Sequence, residues 1–270
     1  MQGASREAYA AARAQLDGLT DAGALATASA EILAVAGLLN AEPRLRRAVS
    51  DPARSGEERS ALLTGLLSGK IGAVAQDLLA TLVGGRWSSA SDLRDGVERL
   101  GVEALIVSAD RAGDLGEVED ELFRFGQIVA GDPGLAATIG DSSKPAAARE
   151  TIASQLLEGK AKPATVRLAQ EAVRGFGGRS FSGALTRLVE LAAEERSRSV
   201  AYVTVAEPLS DADEERLGAA LAQRYGREVA LKVIVDPNVL GGVRVRVGSD
   251  LYDGTVFRRL SDVRASLAAK

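Results

Sequence analysis

Neither cysteine nor histidine occurs in the 270 residues, and aromatic side chains make up only 4% of the chain. Without thiolate or imidazole there is no zinc site of the usual kind, no Cys nucleophile, no Ser-His-Asp triad and no disulfide. A shortage of aromatics also removes the stacking platforms that single-stranded nucleic acids need. Positive charge is not in excess: 33 Lys and Arg stand against 37 Asp and Glu, for a net charge of −4 and a pI near 5.2, so the overall field does not favour polyanions. The N-terminus has no basic segment followed by an apolar run, and the chain therefore reads as cytoplasmic. One stretch, residues 22–41, could imitate a membrane span, with Glu31 as its sole charge. It is built largely of Ala, Gly, Thr and Ser, and Leu25, Ala28, Ile32, Val35 and Leu39 fall on one helical stripe, so a packed helix is expected.

What is present is an ordinary globular composition, 46% apolar and 26% charged, in a chain long enough for two domains or three small ones. Sliding the sequence by 90 residues brings related segments together. Glu31-Ile32 meets Glu121-Leu122, Asp51 meets Asp141, Arg59 meets Arg149, and Leu66-Leu67-Ser68-Gly69-Lys70 meets Leu156-Leu157-Glu158-Gly159-Lys160. After a slip of two or three residues, Gly84-Gly85-Arg86 pairs with Gly177-Gly178-Arg179. This predicts two tandem helical domains, 1–98 and 99–198, each of five or six short helices. Pro43 and Pro133 mark connections, Asp51-Pro52 and Ser143-Lys144-Pro145 open the next helix, and Gly69 suits the left-handed position past a helix end. The Gly-Gly pairs follow no strand and fit neither Walker nor dinucleotide spacing, so they read as helix terminators. Gly65 to Lys70 fails the Walker test as well.

After Arg198 the apolar period changes from 3.6 to 2. Residues 199–206 alternate as a strand. Ser210 and Asp213 frame a capping box ahead of a helix carrying Leu217, Leu221 and Tyr225. Val229, Leu231, Val233 and Val235 mark a second strand, Val243, Val245 and Val247 a third, and Leu251-Tyr252 a fourth. A last helix is expected with Val256, Leu260, Val263 and Leu267 along its seam. The fold class is thus mainly α with a C-terminal α+β module, two tandem six-helix-type bundles followed by a β-α-β-β-β-α domain over 199–270.

The run from Leu231 to Gly248, with Asp236-Pro237-Asn238 and Gly241-Gly242 at its centre, continued by Tyr252-Asp253-Gly254-Thr255-Val256 and Arg259-Leu260, resembles the C-terminal signature of the F-type ATP synthase delta subunit. The mitochondrial relative of that family is the oligomycin-sensitivity-conferring protein. Ala8-Tyr9-Ala10-Ala11-Ala12-Arg13 resembles the family's first helix, and Leu78 to Arg86 its fifth. The family usually has one helical domain before the C-terminal module; two copies resemble the longer delta forms of some bacterial lineages, where delta is also found fused to b. No b-like membrane helix is seen in this chain.

The resemblance implies a peripheral-stalk (stator) subunit of the proton-translocating ATP synthase, one copy per complex, peripheral at the cytoplasmic face of the bacterial cell membrane. It would hold the alpha subunit's N-terminal helix and the b subunit's C-terminal end, resist rotor torque, and need no cofactor. The carboxylates form no pair set apart from solvated helix faces, so no catalytic role is expected. For alpha, Tyr9, Ala10 and Arg13 with Leu79, Leu82, Val83, Arg86 and Trp87 are the candidate groove; core packing is the competing reading for Trp87 and the leucines, and an exposed Tyr9 rim would favour the groove. The first copy is preferred because its counterpart, residues 102–107, lacks the Tyr; Val173 and Phe176 would line the alternative groove. For b, the expected contacts are Val239, Leu240, Val243, Val256 and Leu260. Competing readings are a helical-repeat adaptor or small-ligand-binding protein unrelated to ATP synthase, and a nucleic-acid-binding helical repeat. Measurable affinity for ATP would favour a ligand-binding protein, and the negative charge counts against nucleic acid.

Overall fold

The computed structural model describes residues 3–198, 200–225, 229–236, 239–248, 250–256 and 258. Two compact units are present, 1–192 and 193–270.

The first unit is helical. Its elements are α1 (Ala4–Asp17), α2 (Ala22–Ala41), α3 (Pro43–Val49), α4 (Gly56–Leu67), α5 (Ala73–Gly84), α6 (Ala90–Arg111), α7 (Leu115–Gly131), α8 (Pro133–Gly140), α9 (Ala146–Leu157), α10 (Pro163–Arg174) and the start of α11 (Phe181–Arg198). Local chemistry sets most boundaries. Asp21 caps α2 by accepting the Ala24 N–H at 3.0 Å, and proline opens α3, α8 and α10 at the first turn, where its missing N–H costs nothing. The α4 start differs from expectation. Asp51-Pro52 lies in a turn, and the helix begins after Ser55, whose hydroxyl accepts the Glu58 N–H while the Glu58 carboxylate accepts the Ser55 N–H. That S-x-x-E box was legible in the sequence. Along α4, Leu63 and Leu67 are buried and Leu66 is exposed.

The long apolar helix α2 is a core helix: Leu25, Ala28, Ile32, Val35 and Leu39 are all buried. It passes a membrane-span test by length and composition only.

The 90-residue repeat is visible as repeated hydrogen bonding. Glu31 accepts the Gly72 N–H at 3.0 Å at the head of α5, and Glu121 accepts the Lys162 N–H at 2.9 Å at the head of α10. Each puts a carboxylate on the positive end of a helix. Arg59 reaches the Val83 carbonyl, and Arg149 the Val173 carbonyl. Gly69 and Gly159 share a φ of 71°, the left-handed conformation that glycine adopts without strain.

Two hydrophobic cores result, and α6 contributes to both. Leu93, Val97, Leu100, Ala104 and Val107 join the first, whereas Val102, Leu105, Ile106 and Ala109 join the second. The division expected at 98/99 falls inside this helix, and the compact unit runs on to residue 192. One helix lies sixth in the first bundle and first in the second, so no linker separates the copies.

The second unit carries a four-stranded mixed sheet of order β2-β1-β3-β4, from β1 (Val200–Val205), β2 (Ala230–Val235), β3 (Val243–Val247) and β4 (Asp250–Asp253), with α12 (Asp211–Tyr225) between β1 and β2. β1 pairs parallel to β2 and antiparallel to β3, and β4 pairs antiparallel to β3. Along β1, Ala201, Val203 and Val205 are buried, and with Val245, Val247 and Leu221 they make the module's core. Val235, expected on the inward stripe, is exposed at the end of its strand. The expected last helix lies outside the described residues beyond Val256 and Arg258, and with it Leu260, Val263 and Leu267.

Candidate partner-binding faces

α1 and α5 lie side by side at one edge of the first bundle, and their closest approach is set by small residues. A Cβ on Gly85 would come within 2.4 Å of the Ala8 Cβ, so glycine is required there for the two backbones to meet. The Thr81 hydroxyl of α5 donates to the Gln15 side chain of α1 at 2.7 Å and ties the pair further along.

Behind α1 sits a buried ionic cluster. Arg13 donates to Glu103 at 2.9 Å and to Asp17 at 2.7 Å, while Arg99 donates to the other Glu103 oxygen at 2.7 Å. Tyr9 packs beneath Arg99, whose guanidinium stands 4.7 Å from the ring centre. Burial alone would push the Glu103 carboxyl up, but Arg13 and Arg99 together hold it below the usual carboxylate range. Tyr9 shifts the opposite way: burial first, then the Glu103 charge, raises its phenol well above the usual value.

This geometry corrects part of the expected alpha site. Tyr9 is 7% exposed and forms no rim; Leu79, Leu82 and Val83 are wholly inside the first core, and Arg13 is committed to its ion pairs. Large apolar groups at helical spacing have gone to packing, since the bundle has only one interior in which to place them. Ala10 and Arg86 are exposed, and Trp87 is half-buried with its indole N–H donating to the Leu82 carbonyl at 2.8 Å. In the second copy Val173 and Phe176 are likewise buried. What remains accessible on α1 is Arg6, Glu7, Ala10, Ala11 and Ala14. Glu103 and Arg99 were missed by sequence reasoning; their signal, an Arg-x-x-x-Glu spacing on one helix, is too common to single out.

In the C-terminal module, Val239 and Val243 are half-buried, Leu240 is 69% exposed and Val256 is 42% exposed. The glycines of the signature have a structural task. Gly242 takes a φ of 82°, and a Cβ there would lie 2.5 Å from the Gly254 carbonyl oxygen. The Gly254 N–H donates to the Val243 carbonyl and the Val256 N–H to the Gly241 carbonyl, locking the crossing of the two segments. Leu240 and Val256 are both left at the surface. Among the described residues no group of Asp and Glu side chains is placed to hold a metal ion.

Two fused helical bundles followed by a small mixed-sheet module define a mainly helical protein with a C-terminal α+β module. The chain belongs to the ATP synthase delta (OSCP) subunit family, whose profile matches residues 102–267. It is 61% identical over 269 residues to the ATP synthase subunit delta of Salinispora arenicola, covering 98% of each chain. It is also 46% identical to the protein of that name from Streptomyces griseus, covering 99% of this chain and 100% of the other. At 41% identity the Kineococcus radiotolerans ATP synthase subunit delta still matches 98% of this chain and 97% of its own.

Proposed function

We propose that the chain is the non-catalytic stator subunit of an F-type ATP synthase at the cytoplasmic face of the membrane. It receives the alpha subunit's N-terminal helix on the first bundle and the b subunit's C-terminal end on the C-terminal module. Family membership supports the complex, and one observation supports the choice of bundle. On α1 the residues Ala10, Ala11 and Ala14 are exposed, whereas their counterparts on α6, Leu100, Gly101 and Ala104, are buried. The second copy's equivalent stripe is already occupied by the first bundle, so of the two opening helices it is α1 that offers exposed small side chains on which a partner helix can lie closely. The tandem partition into 1–98, 99–198 and 199–270 belongs to this reading, with α6 as the shared element.

An acid placed at Tyr9 would be buried and would report stability rather than recognition. The discriminating variant is Ala11→Trp, whose bulk projects from an exposed site. Titration with a synthetic peptide of the alpha N-terminus should show at least tenfold weaker binding by Ala11→Trp, with unchanged circular dichroism. Unchanged affinity would remove the alpha helix from this face, and tight ATP binding by the purified chain would favour a ligand-binding protein instead.

A further inference from the structure

The two copies provide an internal comparison: residues that recur at matched positions build the bundle, and residues that do not are free for something else. Glu31 and Glu121, Arg59 and Arg149, and Gly69 and Gly159 recur with the same contacts. A second set does not recur. Arg44, Arg46 and Arg47 of α3 correspond to Gly134, Ala136 and Ala137, and Trp87 corresponds to Ser180. The second bundle forms a closed core without these side chains, so the fold does not require them.

In the first bundle two of these, Arg47 and Trp87, line a cleft of about 550 Å³ between the α3–α4 turn and the α5–α6 turn, together with Asp51, Pro52, Arg54 and Ser88 among others. The Arg47 guanidinium is exposed and has no hydrogen-bond or ion-pair partner among the described residues. Arg54 lies 3.9 Å from Asp51, a loose contact that recurs in the second copy as Lys144 with Asp141 at 3.8 Å, so Arg47 and Trp87 are what set the first copy's cleft apart. The rim is held in place from below. Buried Arg59 donates to the backbone carbonyls of Asp51, Arg54, Val83, Gly84 and Gly85, and so ties the two turns that carry the cleft to one guanidinium. Trp87 is equally fixed, clamped through its indole N–H to Leu82 and with its ring edge against Gly96, where a Cβ would come within 2.4 Å. The rim is thus preorganised, which lowers the ordering cost of binding.

We propose that this cleft binds an acidic segment of a protein partner, a Glu or Asp flanked by an apolar side chain, with the carboxylate on Arg47 and Arg54 and the apolar group against Trp87 and Pro52. Guanidinium groups match carboxylates in geometry, and a fixed aromatic beside them is the composition of an interface anchor. Asp51 within the lining and the chain's net charge of −4 argue against a dense polyanion such as nucleic acid or an anionic bilayer. The stator reading enters only in the choice of one probe, the catalytic head.

Trp87 is the only tryptophan, so its emission reports occupancy of the cleft directly. The full chain is titrated at low salt with a peptide of repeating Glu-Glu-Leu, and separately with the purified catalytic head of the same enzyme. Arg47→Glu/Arg54→Glu should abolish the saturable change in emission and weaken head binding about tenfold, with the difference shrinking as salt is raised. Lys144→Glu/Lys160→Glu, the same charge change at exposed positions of the second copy, should leave both within twofold. An emission response that is absent with the peptide, equal in both double variants, or given instead by an oligonucleotide or phosphatidylglycerol vesicles would overturn the proposal. A wild-type chain that answers the peptide but fails to bind the head would sink the stator reading and leave the cleft standing.

Discussion

Removing the Glu103 carboxylate should destabilise the helical unit more than removing any surface charge. Glu103 is 5% exposed and joins Arg13 of α1 to Arg99 of α6 across 90 residues of sequence. In Glu103→Gln the Arg13 guanidinium, whose side chain is 10% exposed, keeps Asp17 but loses its buried counter-ion. Breaking a buried pair in this way costs about 3–5 kcal/mol, and the surviving Asp17 contact points to the lower end. For a unit of this size about 3 kcal/mol lowers Tm by roughly 6–12 °C. The pH dependence supplies a second check. A carboxyl whose folded pKa is depressed contributes stability that is full above its unfolded pKa and lost as pH falls through the folded value. The gap between wild type and Glu103→Gln, read by thermal circular dichroism, should therefore be widest near neutrality and close in acid. Arg13→Met/Glu103→Leu should recover much of the loss, because an apolar pair leaves no buried charge. A penalty under about 1 kcal/mol at pH 7, or one that persists unchanged in acid, would refute the assignment of this cluster as a tie between α1 and α6.

Gly242→Ala should destabilise the C-terminal module by about 1–3 kcal/mol, since the residue is left-handed and the new methyl meets the Gly254 carbonyl; local hydrogen exchange in β3 and β4 would register it. Alkaline titration followed by tyrosinate absorbance should show Tyr9 and Tyr225, two of the four tyrosines, ionising above the ordinary range. Because the folded pKa of Tyr9 is raised, stability should fall once pH passes the unfolded value near 10. Truncation after Arg198 keeps α11 whole and should leave the helical unit cooperatively folded and able to bind the alpha peptide while b binding is lost; retained b binding would contradict the assignment of that partner to the sheet module.

Local, periodic features were legible in the sequence alone. The α2 stripe, the switch from helical to strand periodicity after Arg198, the left-handed Gly69, and the matched Glu31/Glu121 and Arg59/Arg149 positions all follow from side-chain spacing and backbone preference, which act over a few residues or repeat at a fixed interval. Burial on a given face is a different kind of property, decided by what arrives from far away. Leu33 and Phe123 occupy matched positions, yet Leu33 is 6% exposed because the second core covers it, whereas Phe123 is 56% exposed. The sharing of α6 between two cores, the inward turn of Tyr9, and the meeting of Arg13 with Glu103 arise in the same way. The first depends on two bundles pressing on one helix and the other two on α1 meeting α6, and helix periodicity marks an apolar stripe without saying how many neighbours will cover the remaining faces.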